Sequence, residues 1–499
     1  MLQASLEGLL LIFSVSSLTF MFLGIAFGLL IGFLPGLGGI VAMALLLPFT
    51  FGMSPPEAFA LLIGAHTGTI FGSSITSILF NVPGASKSVV VCFDGFPMTQ
   101  RGEGVRALAA GATASLLGGI IGALVLTVSL PLMKMVMLAL APPEYFMMAI
   151  WGLTIIAIFS EGSVLKGLVA AGFGLAIAFI GMDPVTGTAR YTFGISELVD
   201  GFDIPVAIMG LFAISQMIKL YVKGGSIVER DQSLANSKSG LIEGIKDAFR
   251  HWRTVLQASF LGVFIGALPG VGASVASIAA YGAAVQTSKT PERFGKGAVE
   301  GVIAPEATNA SSEGGHLIPT LAFGIPGSEV AVILLAAFVM LGIQPGREML
   351  EYNLPLVFNL VWLIVLTNVF STGFGLMMSP YLVRMTALPG NFLIPIILAV
   401  CVSGAYAMNK SMLDVVVAMV FGIIGYYMDK YNYSRADMVI GMVLALMIER
   451  YMQISLTLYG SKFLLERPLT LVFAVLIILS VIYPFARRIM AKRKAVLGG

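Results

Sequence analysis

Gly28-Leu-Leu-Ile-Gly32-Phe-Leu-Pro35-Gly36-Leu-Gly38 returns later in the chain as Gly262-Val-Phe-Ile-Gly266-Ala-Leu-Pro269-Gly270-Val-Gly272. A second pair follows at similar spacing. Ile75-Thr-Ser-Ile-Leu-Phe80-Asn81-Val-Pro83-Gly84 lines up with Ile318-Pro-Thr-Leu-Ala-Phe323-Gly324-Ile-Pro326-Gly327. Shared order and spacing make the two halves repeats of one another. Pro-Gly steps interrupt regular structure, and each of these sits inside or beside an apolar run. The chain is therefore expected to hold broken helices in duplicate.

The surrounding sequence says where those helices lie. Of 499 residues, 58% are hydrophobic and 11% charged, with a mean hydropathy of +0.95. Soluble domains carry about 25% charged residues, so a surface this poor in charge must face lipid. Runs that match the ~20 apolar residues needed to cross the hydrocarbon layer recur at Leu9–Phe33, Ala107–Leu130, Pro205–Val222, Val255–Leu268, Leu356–Met378, Val439–Leu458 and Leu469–Pro484. The fold class is an all-α integral membrane protein of about 11–12 transmembrane helices plus two re-entrant hairpins. The net charge of +3 points to no nucleic-acid partner. Cys92 and Cys401 lack the spacing of a disulfide or zinc framework. The first apolar run has no basic n-region or cleavage site and reads as a retained helix.

Basic loops face the cytoplasm. Lys223, Arg230, Lys238, Lys246, Arg250 and Arg253 form one basic segment, and Arg487, Arg488, Lys492, Arg493 and Lys494 form the tail. Both are placed inside, and the acidic loop Asp183–Asp203 outside. Counting helices from these anchors puts the loops Met98–Arg106 and Leu341–Glu348 on opposite sides, so the repeats are expected to be inverted. The domain plan is a first repeat over 1–222 (hairpin about 58–84), a cytoplasmic linker over 223–253, a second repeat over 254–486 (hairpin about 298–327) and a basic cytoplasmic tail over 487–499.

Gly64–Thr76 and Pro305–His316 are too polar and Gly-rich to face lipid, and each is expected to form a hairpin tip. Non-helical backbone at membrane depth survives only where protein buries it or water reaches it. In inverted-repeat carriers, substrate and ions bind where such broken segments meet near the midplane. An anion entering the membrane needs helix N-termini and hydroxyl or amide donors. Ser73, Ser74, Asn309, Ser311 and Ser312 supply the side chains, and Gly84, Ala85, Ser86, Gly327 and Ser328 the backbone N–H groups. Thr76, Asn81 and Thr320 are candidates for sodium. Pro35, Gly36, Gly38, Pro83, Pro269, Gly270, Gly272 and Pro326 serve as hairpin and hinge positions. Taken singly, each Ser, Thr or Gly reads as helix packing; taken as clusters, they read as ligands. Lys87 is the nearest cation, and Glu306, Glu313 and His316 are ionisable suspects at depth, with Glu313 or His316 able to carry a proton.

These residues resemble the large membrane subunit (TctA-type) of the tripartite tricarboxylate transporter family. The match rests on the two Pro-Gly turns, on Asn81-Val-Pro83-Gly84, Asp94-Gly-Phe-Pro97-Met98 and Ala304-Pro305-Glu306-Ala-Thr-Asn309, and on Ile318-Pro319-Thr320 with Gly324-Ile-Pro326-Gly327-Ser328. It runs from about residue 20 to about 350. His66, in Gly64-Ala65-His66, carries no family signature. The resemblance implies a secondary transporter subunit in the bacterial inner membrane, importing a carboxylate such as citrate by symport with sodium or protons. It also implies a small four-helix membrane subunit and a periplasmic solute-binding protein as partners. The wider group it resembles contains elevator-type carriers.

The rival readings are an intramembrane enzyme and a channel or antiporter without a binding protein. The chain has no HExxH, G-x-S-x-G or GxGD motif and no P-loop, and His66, His251 and His316 lack metal spacing. No cofactor beyond the coupling ion is expected, and no catalytic residue is assigned.

Overall fold

The computed structural model describes residues 1–34, 38–159, 164–183, 187–223, 238–269, 272–385, 390–464 and 467–480. Of the positions named above, Pro35, Gly36, Gly270 and the tail over 487–499 lie outside the described residues, as does the linker stretch over 224–237.

The described chain is nearly all helix. In the first half these are α1 (Leu2–Ile12), α2 (Val15–Gly32), α3 (Gly39–Leu46), α4 (Pro55–Phe80), α5 (Val89–Gln100), α6 (Gly104–Ala139), α7 (Pro142–Phe159), α8 (Val164–Ala178), α9 (Ile204–Ile208) and α10 (Ser215–Lys223). A π-helical turn, Met209–Ile214, joins the last two, and a two-residue hairpin of β1 (Gly181–Met182) and β2 (Ala189–Arg190) lies in the acidic loop. Then come α11 (Lys238–Arg250), α12 (Trp252–Gly266), α13 (Gly272–Thr287), α14 (Glu300–Phe323), α15 (Glu329–Met340), α16 (Arg347–Tyr352), α17 (Leu354–Met385), α18 (Gly390–Asn409), α19 (Met412–Lys430), α20 (Arg435–Tyr459) and α21 (Pro468–Ser480). Seven described spans are long and apolar enough to cross a membrane, and several shorter apolar helices accompany them. The chain is a multi-pass, all-α membrane protein. One expected span is divided: Leu9–Phe33 breaks at Ser14, which caps α2 by accepting from Ser17 N–H at 3.2 Å. The expected linker contains α11, whose Asp247 pairs with Arg106 of α6 at 2.6 Å.

The expected hairpin tips need correction. Gly64–Thr76 and Pro305–His316 are not turns; they lie inside the continuous helices α4 and α14. Their polarity has another cause. The described α4 window is buried throughout, so it never meets lipid. Its hydroxyls return to the backbone one turn earlier: Thr69 to His66 O, Ser73 and Ser74 to Ile70 O, Thr76 and Ser77 to Ser73 O, at 2.6–3.0 Å. Such bonds let a helix bury hydroxyls without other partners. The glycines serve close approach. A Cβ on Gly68 would meet Ile25 O at 2.5 Å, and one on Gly72 would meet Leu29 O at 2.7 Å.

The breaks fall later, at the Pro-Gly steps. Asn81 ends α4 in the left-handed region at φ 58°, and Gly324 ends α14 there at φ 65°. Asn and Gly are the residues that tolerate this conformation. The backbone of the next residue then reaches back in the same manner, Val82 N–H to Thr76 O and Ile325 N–H to Pro319 O, both 3.3 Å. The packing partners also match. A Cβ on Gly84 would lie 2.8 Å from Gly32 O, and one on Gly327 would lie 3.1 Å from Gly266 O. Gly28 and Gly32 face Ala65 and Thr69, and Gly262 and Gly266 face Thr308 and Ser312. The long helices cross over: α6 packs on α14 through Gly118 and Gly122, and α17 on α4 through Gly375 and the Thr67–Thr367 contact at 3.0 Å. α4 and α14 themselves meet through Ser74 with Glu306 and through His66 with Glu313.

Candidate functional site

Where α4, α14 and the break after α4 meet, four ionisable side chains converge. Glu313 is the hub. Its Oε1 lies 2.8 Å from His66 Nε2 and 3.3 Å from Lys87 Nζ, and its Oε2 lies 3.9 Å from His316 Nδ1. Helical spacing puts Glu313 and His316 on one face of α14, while Lys87 arrives from the short turn Ser86–Ser88. The His66–Glu313 contact is close but poorly aligned, and neither ring nitrogen of His66 or of His316 makes a well-formed hydrogen bond. Both histidines are buried, and the Lys87 and Glu313 side chains keep 13% and 14% of their exposure. Three of the four, His66, Glu313 and His316, line a small cavity of about 20 Å³, walled also by Met43, Ser328 and Asn368 among others. Burying charge is costly unless it is paired; here one carboxylate faces one ammonium and two imidazoles beside that cavity.

A second buried carboxylate lies two turns earlier on α14. Glu306 Oε1 accepts from Ser74 Oγ at 2.5 Å and Oε2 from Ser115 Oγ at 3.0 Å. Among the described residues no basic side chain comes within ion-pairing distance of it. This contact ties α4, α6 and α14 together. Lys87 is steadied from its backbone: Asn309 Nδ2 donates to Lys87 O at 3.5 Å, and Asn309 Oδ1 accepts from Ser277 Oγ at 2.5 Å. Ser73 and Ser88 share a hydrogen bond of 2.9 Å, and Ser274 donates to Ser86 at 3.1 Å.

Asp94 fastens the outer side of this arrangement. It is buried on α5, where Oδ1 accepts from the N–H groups of Gly297 and Ala298 at 2.7 and 2.8 Å. Oδ2 accepts from Tyr281 Oη at 2.9 Å, and Arg101 donates to Gly297 O at 2.5 Å. The residues leading into α14 are thus locked to the first half of the chain.

A family model described as the Tripartite tricarboxylate transporter TctA family matches residues 18–483. The chain belongs to that family. Two proteins of Agrobacterium vitis are similar to it. One, described as an uncharacterized 52.8 kDa protein in the TAR-I ttuC' 3' region, is 33% identical over 433 residues, covering 87% of this chain and 85% of the relative. The other, an uncharacterized protein in the TAR-II ttuC' 3' region, is 31% identical over 192 residues, covering 38% of this chain and 79% of the relative. No solved structure matches.

The predicted site residues of this TctA-family protein fall in several different places. Ser73, Ser74, Ser86 and Asn309 gather around Lys87 and Glu306, and Ser328 lines the cavity while capping α15 through Ala331 N–H at 3.2 Å. Ser311 and Ser312 face α12 instead and bond to Thr308 O and Asn309 O of their own helix. Thr76 and Thr320 bond to Ser73 O and His316 O, and Thr320 also accepts from Gly327 N–H at 3.3 Å. Asn81 is the left-handed cap. Gly38 precedes α3 and Gly272 opens α13 at φ 78°. Ser88, Ser115, Ser277 and Asn368 are additions that no motif announced. The His66–Lys87–Glu313 contact joins positions far apart in sequence, which no spacing rule reaches.

Proposed function

We propose that this protein is the carrier subunit of a secondary active transporter that imports a carboxylate handed over by a periplasmic solute-binding protein. A tricarboxylate such as citrate, or a related organic acid, is the cargo. Membership of a transporter family supports transport as the general activity. The observation that carries the finer reading is the hub, where a partly buried ammonium and two buried imidazoles surround a carboxylate of the protein itself beside a small cavity. A site built to satisfy one carboxylate suits another.

The carrier works as two inverted repeats, 1–222 and 254–486, with re-entrant hairpins around the breaks after α4 and α14 and an elevator-like movement of the broken segments. The paired glycine contacts and matching left-handed caps support the repeat. An inner-membrane location with a cytoplasmic C-terminus follows the charge of its loops, and a small four-helix membrane subunit completes the assembly. Thr76, Asn81 and Thr320 remain the candidate sodium ligands if sodium couples. The chain is not an enzyme in this reading.

The test is uptake of labelled citrate, tartrate and succinate into vesicles holding this chain with both partners. An imposed sodium or proton gradient is expected to accelerate uptake of at least one of them. Uptake indifferent to both gradients for every solute contradicts the reading.

A further inference from the structure

The hub suggests how cargo and ion are linked, an inference that rests on the transport reading above. In the described structure Glu313 occupies the place on Lys87 that an incoming carboxylate would need. Cargo cannot pair with Lys87 while Glu313 stays there as an anion, because two carboxylates sharing one ammonium repel.

We propose that Glu313 is an internal stand-in for the cargo carboxylate: the cargo displaces it from Lys87, and Glu313 takes up one proton as it leaves. The charge balance is simple. Before binding, Lys87 and Glu313 cancel. After binding, Lys87 and the cargo carboxylate cancel, and Glu313 is a neutral acid with an O–H to donate. On release the cargo leaves Lys87, Glu313 gives its proton to water or to an imidazole, and the original pair re-forms. One proton crosses with each cargo carboxylate so held.

The surroundings fit a proton-exchanging group. Glu313 borders the cavity, which has room for about one water, and its side chain keeps 14% of its exposure. The two imidazoles beside it, His66 from α4 and His316 from α14, are buried with ring nitrogens that lack well-formed partners. They are available to receive a proton from Glu313 or to donate to cargo. The other elements around the cavity bring Met43 from α3, Ser328 and Ala331 at the start of α15, and Asn368 from α17. None of these four ionises. Glu306, two turns away, is engaged with Ser74 and Ser115, and Glu329, beside Ser328, is exposed. The Lys87 backbone is tied to Asn309 by a long hydrogen bond of 3.5 Å, which keeps the base of its side chain beside the site.

The test measures protons per bound cargo. Purified protein in a weakly buffered solution near about pH 8, where citrate is fully ionised and free imidazole is neutral, is titrated with citrate beside a pH indicator in sodium-free medium. Wild type is expected to withdraw about one proton per citrate bound, and Glu313→Gln none. Wild-type binding without proton uptake overturns the proposal, as does equal uptake by Glu313→Gln. Should that variant misfold, proteoliposomes of the wild type with its partners decide. With the potential clamped, an inward step of one pH unit is expected to drive accumulation of up to about tenfold per proton, and absence of any accumulation overturns it. Exchange of labelled for unlabelled citrate at equal pH needs no net proton movement. Wild type that exchanges citrate, tartrate and succinate yet ignores the pH step refutes the proton inference alone. Wild type that exchanges none of them refutes the transport reading itself.

Discussion

Removing the Asp94 side chain should loosen the joint between the two halves. Asp94 accepts three hydrogen bonds, from Gly297 N–H, Ala298 N–H and Tyr281 Oη, all between 2.7 and 2.9 Å, the two backbone ones buried and the tyrosine one partly buried. A hydrogen bond to a charged group contributes about 1.5–3 kcal/mol, and a buried donor left alone costs about 1–3 kcal/mol. The three are not additive, since Arg101 still holds Gly297 O. Asp94→Ala is therefore expected to cost about 3–5 kcal/mol. Asp94→Asn keeps an oxygen for the backbone pair and should lose about 1–2 kcal/mol. Tyr281→Phe removes one bond and leaves the backbone pair intact, so it should also lose about 1–2 kcal/mol. A thiol-reactive dye reads unfolding directly, because Cys92 and Cys401 are both buried. The melting temperature should fall by several degrees for Asp94→Ala and less for the other two. If Asp94→Ala melts within about one degree of wild type, or if Tyr281→Phe proves the worst of the three, the joint does not carry the load assigned to it.

Four further substitutions follow from the same geometry. A Cβ at Gly327 would lie 2.7 Å from His316 Cα and O, backbone atoms that no rotamer change can move, so Gly327→Val should cost at least about 1–3 kcal/mol and abolish transport. Gly282→Ala, where a Cβ meets nothing within 4 Å, should leave uptake and melting unchanged in the same vesicles. Ser74→Ala and Asn309→Ala each remove a 2.5 Å bond at the site, and each should slow uptake several-fold, roughly the effect of losing 1–2 kcal/mol. The amount of protein in the membrane should not change, which quantitative blotting of washed membranes checks.

Much of this architecture is legible in the amino-acid order, and the misses have physical causes. The Pro-Gly steps expected as hairpin exits stand where α4 and α14 end, just after left-handed Asn81 and Gly324, but the tips expected at Gly64–Thr76 and Pro305–His316 are continuous helix. The polar stretch before each break misled, since hydroxyls that bond to their own helix look, in sequence, like ligands. Thr69, Ser73 and Thr76 are such residues, and Ser311 and Ser312 face a neighbouring helix rather than the cavity. The hub was only half readable. Glu313, His316 and Lys87 stood out as ionisable groups beside apolar runs, but His66 became meaningful only once α4 was seen against α14. Ser115 and Ser277 carry no motif at all; their role is set by which helix lies beside them.

The claim underlying all of this is that a carboxylate binds in the cavity beside Glu313, and site-directed labelling tests it most directly. Ser328 borders the cavity and the native cysteines are buried, so Ser328→Cys gives one reportable thiol. Its reaction with a small maleimide should slow several-fold when a transported carboxylate is present and should not respond to an uncharged ester of the same acid. If a solute that the preparation demonstrably transports leaves that labelling rate unchanged at saturating concentration, the cargo passes elsewhere and the cavity is not its site.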